Sequence, residues 1–444
     1  MSKRFHIVSL GCPKNAVDAE GIGQLLRQQG YEEADEPRQA DVLIVNTCGF
    51  IAPAREESLA ALRELAQGKR RRQWLVAAGC LPERRDLDLS ALVPGLDGII
   101  STRQWSQFPA FLSRLVASQR APASPCYTWP APAGEGSSLV ARVDRRATTG
   151  RSAYLKIADG CDAACAFCAI PQIKGPQQSK PAAWVVDEAR QLAEQGVMEL
   201  ILVAQDTTAY GRDLGLSDAL PDLISQVLDA APAVRWLRVM YTYPQHISPR
   251  LVELMAREPR FCHYLDLPLQ HSHPDVLRRM GRSPDIDRVR RLVGGLREAV
   301  PDVAIRTTFI VGYPGETEAE FEHLLDFMDE MAFDKVGVFP YSREEGTRAA
   351  ELPGQVPDEI KQARHEEAML LQQEISLDRN GEQVGRTLDV LFEGQGDGLS
   401  IGRSYRDAPE IDGLVLVHGD APLGEMAPVR ITEAMEYDLT GELA

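Results

Sequence analysis

Cys161-Asp-Ala-Ala-Cys165-Ala-Phe-Cys168 is the stretch on which the reading of this chain turns. Three thiolates in one short loop can hold three irons of a four-iron, four-sulfur cluster and leave the fourth iron open for chemistry. The run Tyr154-Leu-Lys-Ile-Ala158 reads as a strand entering that loop, and Gly160 permits a sharp turn before the first ligand. Zinc is the competing occupant, but it takes a fourth Cys or His at matched spacing, and no second cysteine pair follows at that distance.

Outward from the loop, the segment from Arg146 to Ser376 repeats a strand-helix alternation. Tyr154 to Ala158, Leu200 to Ala204, Trp236 to Met240, Tyr264 to Leu267, Ala304 to Val311 and Val336 to Tyr341 read as strands, with amphipathic helical stretches between them. Six such units are fewer than the eight of a closed barrel. The cysteine loop leaves the first strand, so it lies at the carboxyl edge, where active sites of such sheets gather. Gln205 and Asp206 follow the second strand, Thr242 the third and Gln270 the fourth, while the fifth leads into Gly312-Tyr-Pro-Gly315. His271 and His273 read as capping or satisfied polar residues as readily as catalytic ones, and Cys262 reads as a buried inert thiol.

Upstream, residues 1–117 alternate strands at Phe5 to Leu10, Val42 to Val45, Trp74 to Ala78 and Gly98 to Ile100 with helical stretches, which predicts a parallel sheet covered by helices. Cys12, Cys48 and Cys80 each fall just beyond the carboxyl end of one of these strands. In an open parallel sheet those ends share an edge, so three thiols distant in sequence converge into a second cluster site. One such cysteine would read as a small buried residue; the coincidence of three argues otherwise. A Pro, Ala, Ser and Gly-rich stretch within residues 118–145 reads as a linker, and Cys126 inside it is assigned no role.

Residues 377–444 carry short alternating strands at Gly385 to Phe392, Gly413 to His418 and Glu425 to Ile431, separated by Gly, Pro and Asp, and predict a small antiparallel β-barrel. That segment holds fourteen acidic and five basic side chains, and the whole chain of 444 residues carries a formal charge of −17. Such a balance opposes a broad nucleic-acid footprint and suits a basic protein partner. The basic run Lys69 to Arg72 reads as a solvated turn. No apolar run approaches the roughly 20 residues that span a bilayer, the apolar start is too short for a signal peptide, and eight cysteines are too few for a disulfide scaffold. A cytoplasmic protein without membrane contact is expected.

With Phe167 just before its last cysteine, the loop resembles the signature of the radical S-adenosylmethionine enzymes. Three amino-terminal cysteines, the radical loop and a terminal barrel together resemble the methylthiotransferases across essentially the whole chain, the barrel corresponding to their TRAM domain. Asn46-Thr-Cys-Gly-Phe-Ile51, Leu202-Val-Ala-Gln-Asp-Thr-Thr-Ala-Tyr-Gly211, Tyr264-Leu-Asp-Leu-Pro-Leu-Gln-His271, Arg306-Thr-Thr-Phe-Ile-Val-Gly312 and Tyr341-Ser-Arg-Glu-Glu-Gly-Thr347 look like the branch that modifies a ribosomal-protein aspartate. The resemblance implies an α/β multidomain fold: an N-terminal parallel sheet, a central open (β/α)6 partial TIM barrel and the small C-terminal barrel. It implies two [4Fe-4S] clusters and two molecules of S-adenosylmethionine, one supplying the methyl group and another the radical, with Cys161, Cys165 and Cys168 holding the radical-generating cluster. By the same resemblance, Cys12, Cys48 and Cys80 are expected to hold an auxiliary cluster whose open iron carries the sulfur that is methylated and then transferred. Gln205, Asp206, Thr242, Gln270, Gly312 and Gly315 are the candidate contacts to S-adenosylmethionine. The expected substrate is the β-carbon of an aspartate in the twelfth protein of the small ribosomal subunit, and the expected partners are a low-potential electron donor such as flavodoxin or ferredoxin and a sulfur donor. A tRNA adenosine methylthiotransferase is the nearest rival, and a non-enzymatic iron-sulfur protein the rival from another class. A tRNA reader needs Lys and Arg against phosphates, which the acidic barrel lacks.

Overall fold

A computed structural model describes residues 3–118, 126–130, 139–146 and 150–444. The amino-terminal sheet is wholly parallel, in the order β2-β1-β3-β4-β5-β6, with β1 Arg4–Ser9, β2 Glu32–Glu33, β3 Val42–Thr47, β4 Trp74–Gly79, β5 Gly98–Ile99 and β6 Tyr127–Thr128. Strand β3 is buried at every residue, as a central parallel strand must be when helices cover both faces. Val42 and Ile44 join Phe5, Ile22 and Phe111 on one face, while Leu43 and Val45 join Leu59, Leu62 and Leu75 on the other. This period of two fixes the register and sends β1, β3 and β4 to a common carboxyl edge.

The expected linker differs from the sequence reading in one respect. Tyr127–Thr128 pairs with β5 as the sixth strand, Trp129 Nε1 donates to Gln107 Oε1 at 2.9 Å, and Cys126 is half-buried against the apolar core. Aromatic packing of Tyr127 and Trp129 on Phe111 secures a segment whose flanking composition reads as loop. Residues 121–125 and 131–138 of the same stretch lie outside the described residues.

The central sheet has β7 Ser152–Lys156 at one edge and runs through β10 Glu199–Val203, β11 Trp236–Val239, β12 Phe261–Asp266 and β13 Ala304–Val311 to β14 Lys335–Pro340. All neighbours are parallel and β7 does not pair with β14, so the six units form the expected open partial barrel. A two-residue hairpin, β8 Ala158–Asp159 with β9 Gln178–Ser179, braces the cysteine loop from both sides. Helix Asp358–Gly381 then leads to a closed five-stranded barrel, β15 Thr387–Gly396, β16 Leu399–Ser404, β17 Val415–His418, β18 Met426–Ala434 and β19 Leu439–Leu443. Its pairs are antiparallel except β17 with β19.

The barrel docks on the central sheet through buried ions. Arg403 Nη2 reaches Glu199 Oε2 at 2.7 Å, Arg238 Nε reaches Glu199 Oε1 at 2.9 Å, and Arg406 Nη2 reaches Asp334 Oδ1 at 2.6 Å. Arg403 and Arg406 are almost fully buried, so two of the five basic side chains of residues 377–444 are committed inward.

Candidate active site

All six ligand-type cysteines line one cavity of about 330 Å³ between the amino-terminal and central sheets. Cys12 stands immediately before helix Pro13–Gln28, Cys48 follows β3 and Cys80 follows β4. The approach of the first two is close: a Cβ on Gly11 would lie 2.7 Å from Cys48 Cβ and 3.0 Å from its Sγ, so that position admits only glycine. Cys80 N donates to Thr47 O at 2.9 Å and Cys48 N to Ser58 Oγ at 2.9 Å. Asn46 Nδ2 donates to Asn15 O at 2.7 Å and Asn15 Nδ2 to Leu10 O at 2.7 Å, lacing the turn that carries Cys12 to the end of β3. The Asn-Thr pair before Cys48 is therefore the scaffold of this triplet.

The second triplet sits on a loop whose backbone is tied at several points. Gly160 has φ +81°, and a Cβ there would fall 2.1 Å from Pro176 O. Cys161 N donates to Gly175 O at 3.1 Å, Ala166 N to Met280 O at 2.8 Å and Ala349 N to Ala166 O at 2.9 Å. Two donors already face sulfur: Ala163 N lies 3.4 Å from Cys161 Sγ and Arg282 Nη1 3.6 Å from Cys165 Sγ.

Burial raises the pKa of Cys48 and Cys161, and pushes Cys80 and Cys168 up to about 12. Thiolates at such positions need a cation among them at neutral pH. Phe50, Phe167, Ile170 and Ile173 supply an apolar wall that limits water. Two groups of three thiols, donors to sulfur and an apolar surround fit iron-sulfur clusters held by three protein ligands each. Neither triplet carries a fourth Cys or His in the cavity lining, the donor that structural zinc would take.

Buried charges join the two halves of the cavity. Lys174 Nζ reaches Asp159 Oδ2 at 2.9 Å, Asp18 Oδ2 at 3.2 Å and Thr102 Oγ1 at 2.6 Å, while Lys156 bridges the same two aspartates. Burial alone would raise the Asp159 carboxyl, but Lys156 and Lys174 outweigh it and hold it far below the ordinary range. Glu344, in the loop after β14, is a second tie: its carboxylate accepts from Ala52 N at 2.9 Å, at the start of the helix after Cys48, and pairs with Arg84 at 3.3 Å and with Arg55.

Among the candidate contacts to S-adenosylmethionine, Gln205, Asp206, Thr242 and Gln270 line the cavity with the cysteines. Gly312 and Gly315 do not: Gly312 packs on Lys361, and Gly315 N donates to Gly354 O at 2.8 Å. His273 caps helix Pro274–Met280 by accepting from Asp275 N, and buried His271 accepts from His273 N at 2.9 Å. Cys262 is buried on β12 away from the cavity lining, and burial pushes its pKa up to about 12. Lys14, Phe50, Lys174, Tyr241 and Arg282 were not singled out from sequence and also line the site. Lys14 and Phe50 had a signal, each lying two residues beyond a ligand cysteine; Arg282 arrives from 117 residues away with none.

An open parallel sheet whose first strand delivers a three-cysteine loop to its carboxyl edge defines a radical S-adenosylmethionine enzyme, and residues 155–328 match the radical SAM superfamily. Residues 4–101 match the uncharacterized protein family UPF0004 and residues 384–444 the TRAM domain. Two solved radical S-adenosylmethionine proteins share the fold at low identity. They are the methyltransferase TsrM from Kitasatospora setae, with TM-score 0.57 and 14% identity over 90% of this chain and 81% of that one, and OxsB, with TM-score 0.51 and 10% identity over 84% and 56%. Relatives named ribosomal protein uS12 methylthiotransferase RimO are far nearer. That of Chloroflexus aurantiacus is 51% identical over 99% of both chains, that of a Roseiflexus species 50% over 99% of this chain and 97% of the relative, and that of Heliobacterium modesticaldum 45% over 100% and 95%. The chain belongs to the RimO family of methylthiotransferases.

Proposed function

We propose that this enzyme inserts a methylthio group at the β-carbon of an aspartate in ribosomal protein uS12, using two [4Fe-4S] clusters, one per cysteine triplet, and two molecules of S-adenosylmethionine, one for the methyl group and one for the radical. The observation that carries the reading is the meeting of both triplets in one cavity. Bound there, the clusters and S-adenosylmethionine supply the radical that removes hydrogen from carbon, the methyl group and the sulfur.

The chain's own residues position and exclude. Cys161, Cys165 and Cys168 hold the radical-generating cluster on the loop tied to Gly175 and Met280. Cys12, Cys48 and Cys80 hold the auxiliary cluster, and the Asp18, Lys156, Asp159, Lys174 lattice together with Glu344 keeps the two sheets in fixed apposition. A fixed span between clusters matters because the transferred group must meet carbon within bonding reach. Gln205, Asp206, Thr242 and Gln270 lie where they can contact S-adenosylmethionine. Phe50, Phe167 and Ile170 keep the reacting space dry.

The acidic surface, with Arg403 and Arg406 turned inward, favours a basic ribosomal protein over an RNA backbone. No helix of the described residues is long and apolar enough to cross a membrane. The enzyme acts in the cytoplasm, where a reducing environment preserves cluster thiolates and a flavodoxin or ferredoxin and a sulfur donor serve it. Incubating anaerobically reconstituted enzyme with uS12 and, separately, with unmodified tRNA tests the reading. The ribosomal protein should gain the mass of one methylthio group in place of hydrogen and the tRNA should gain none; a gain on tRNA alone overturns the substrate.

A further inference from the structure

Three cationic side chains line the cavity, and two are already satisfied. Lys174 is held by two carboxylates and the Thr102 hydroxyl. Arg282 donates to Pro268 O at 2.9 Å and to Cys165 Sγ, and lies 4.4 Å over the Tyr243 ring. Lys14 differs. Its side chain is more than nine-tenths buried, yet among the described residues no carboxylate or other hydrogen-bond acceptor is paired with its Nζ; the ammonium sits 3.3 Å from the centroid of the Tyr241 ring. Of the acids around it, Asp159 is committed to Lys156 and Lys174, Asp266 to Arg306 at 3.0 Å, and the Cys12 thiol, two residues away, belongs to the auxiliary triplet.

The platform under Lys14 is itself held in an unfavourable conformation. Tyr241 has φ +59°, a left-handed geometry that an aromatic residue rarely adopts. Asp266 enforces it, with Oδ2 accepting from Tyr241 N at 2.9 Å and its backbone oxygen accepting from Thr242 N at 3.1 Å. A ring face satisfies an ammonium by its quadrupole while using none of the three N–H donors in a directed hydrogen bond. A desolvated cation with free donors is a site for an anion, and a carboxylate matches its charge and size.

We propose that Lys14 is the specificity-determining residue that receives the side-chain carboxylate of the target aspartate. The assignment rests on the aspartate-modifying function proposed above. Its chemical sense is local: the β-carbon is bonded directly to the carboxyl carbon, so anchoring the carboxylate at Lys14 places the reacting carbon within one bond of a fixed point between the two cysteine triplets. An asparagine at the same position of the substrate offers no charge to a buried ammonium and is rejected.

The test uses reconstituted holoenzyme, iron-counted before use, without reductant so that nothing turns over. Labelled peptides spanning the uS12 target loop, with Asp or with Asn at the modified position, are titrated by fluorescence anisotropy. The wild-type chain should bind the Asp peptide ~10–100-fold more tightly than the Asn peptide, the value of one charge-assisted pair. Lys14→Met should bring that ratio to about one, and Lys14→Arg should restore most of it. If Lys14→Met fails to load both clusters, the ratio in Lys14→Gln decides. An undiminished ratio in the uncharged variant overturns the proposal. So does weakened S-adenosylmethionine binding with the peptide ratio intact, which would assign Lys14 to the carboxylate of that molecule. A wild-type ratio of about one, in enzyme that still methylthiolates uS12, removes the role of Lys14 alone; no binding and no modification of uS12 removes the proposed function with it.

Discussion

Replacing Gly160 by alanine should empty one cluster site and spare the other. An L-residue at φ +81° costs about 1–2 kcal/mol before any contact is considered. The added Cβ would lie 2.1 Å from Pro176 O, 2.7 Å from Pro176 C and 2.9 Å from Gly175 O, all of them backbone atoms that cannot rotate aside. Relieving that overlap requires the loop to shift and adds about 1–3 kcal/mol, the usual range for overpacking. The total, ~2–5 kcal/mol, is enough to break the Cys161 N to Gly175 O bond locally without unfolding a protein of ordinary stability. Gly385→Ala is the matched control: φ is +85°, but nothing lies within 4 Å of the new Cβ, so only the torsional cost applies. After anaerobic reconstitution, Gly160→Ala should hold about four irons and cleave no S-adenosylmethionine, while Gly385→Ala should hold about eight. A Gly160→Ala protein with about eight irons and undiminished cleavage would refute the claim that this glycine shapes the radical loop.

Two further outcomes follow from the same contacts. Burial alone would raise the Glu199 carboxyl, but Arg403 and Arg238 outweigh it and lower its pKa from 4.5 to about 2; the stabilisation is therefore complete above pH 4.5 and is lost as pH falls from there towards 2. Denaturant titrations should give a loss of about 3 kcal/mol across that window, and Glu199→Gln should flatten that part of the pH dependence. Ser58→Ala removes the acceptor of Cys48 N and leaves a buried donor unpaired, at about 1–3 kcal/mol; a ferrous chelator should strip the amino-terminal cluster several-fold faster while the radical cluster keeps its rate.

The architecture was readable where periodicity is strong. Buried strands such as Val42–Thr47 and Trp74–Gly79 announce themselves as apolar runs between helical stretches, and the cysteines beyond them fall at strand ends by simple counting. Short or glycine-bearing strands were not readable. Glu32–Glu33 and Tyr127–Thr128 are too brief to show a period. In the terminal barrel, Leu399–Ser404 and Leu439–Leu443 contain Gly402 and Gly441, which read as turns but sit where neighbouring strands crowd them; a Cβ on Gly402 would lie 2.5 Å from Leu391 O. The lattice of Asp18 with Lys156 joins residues 138 apart, and no local pattern marks such a pair. Of the cavity cations, Lys174 and Arg282 escaped for the same reason, whereas Lys14 stands two residues beyond Cys12, a local signal whose meaning depends on what surrounds it in space.

Iron content, measured for the wild-type chain and for two triple cysteine-to-alanine variants purified without oxygen, bears most directly on the central claim. Two separate clusters predict about eight irons in the wild type and about four in each variant, with S-adenosylmethionine cleavage surviving only when Cys161, Cys165 and Cys168 are intact. About four irons in the wild type, or stoichiometric zinc in either triplet, would contradict it.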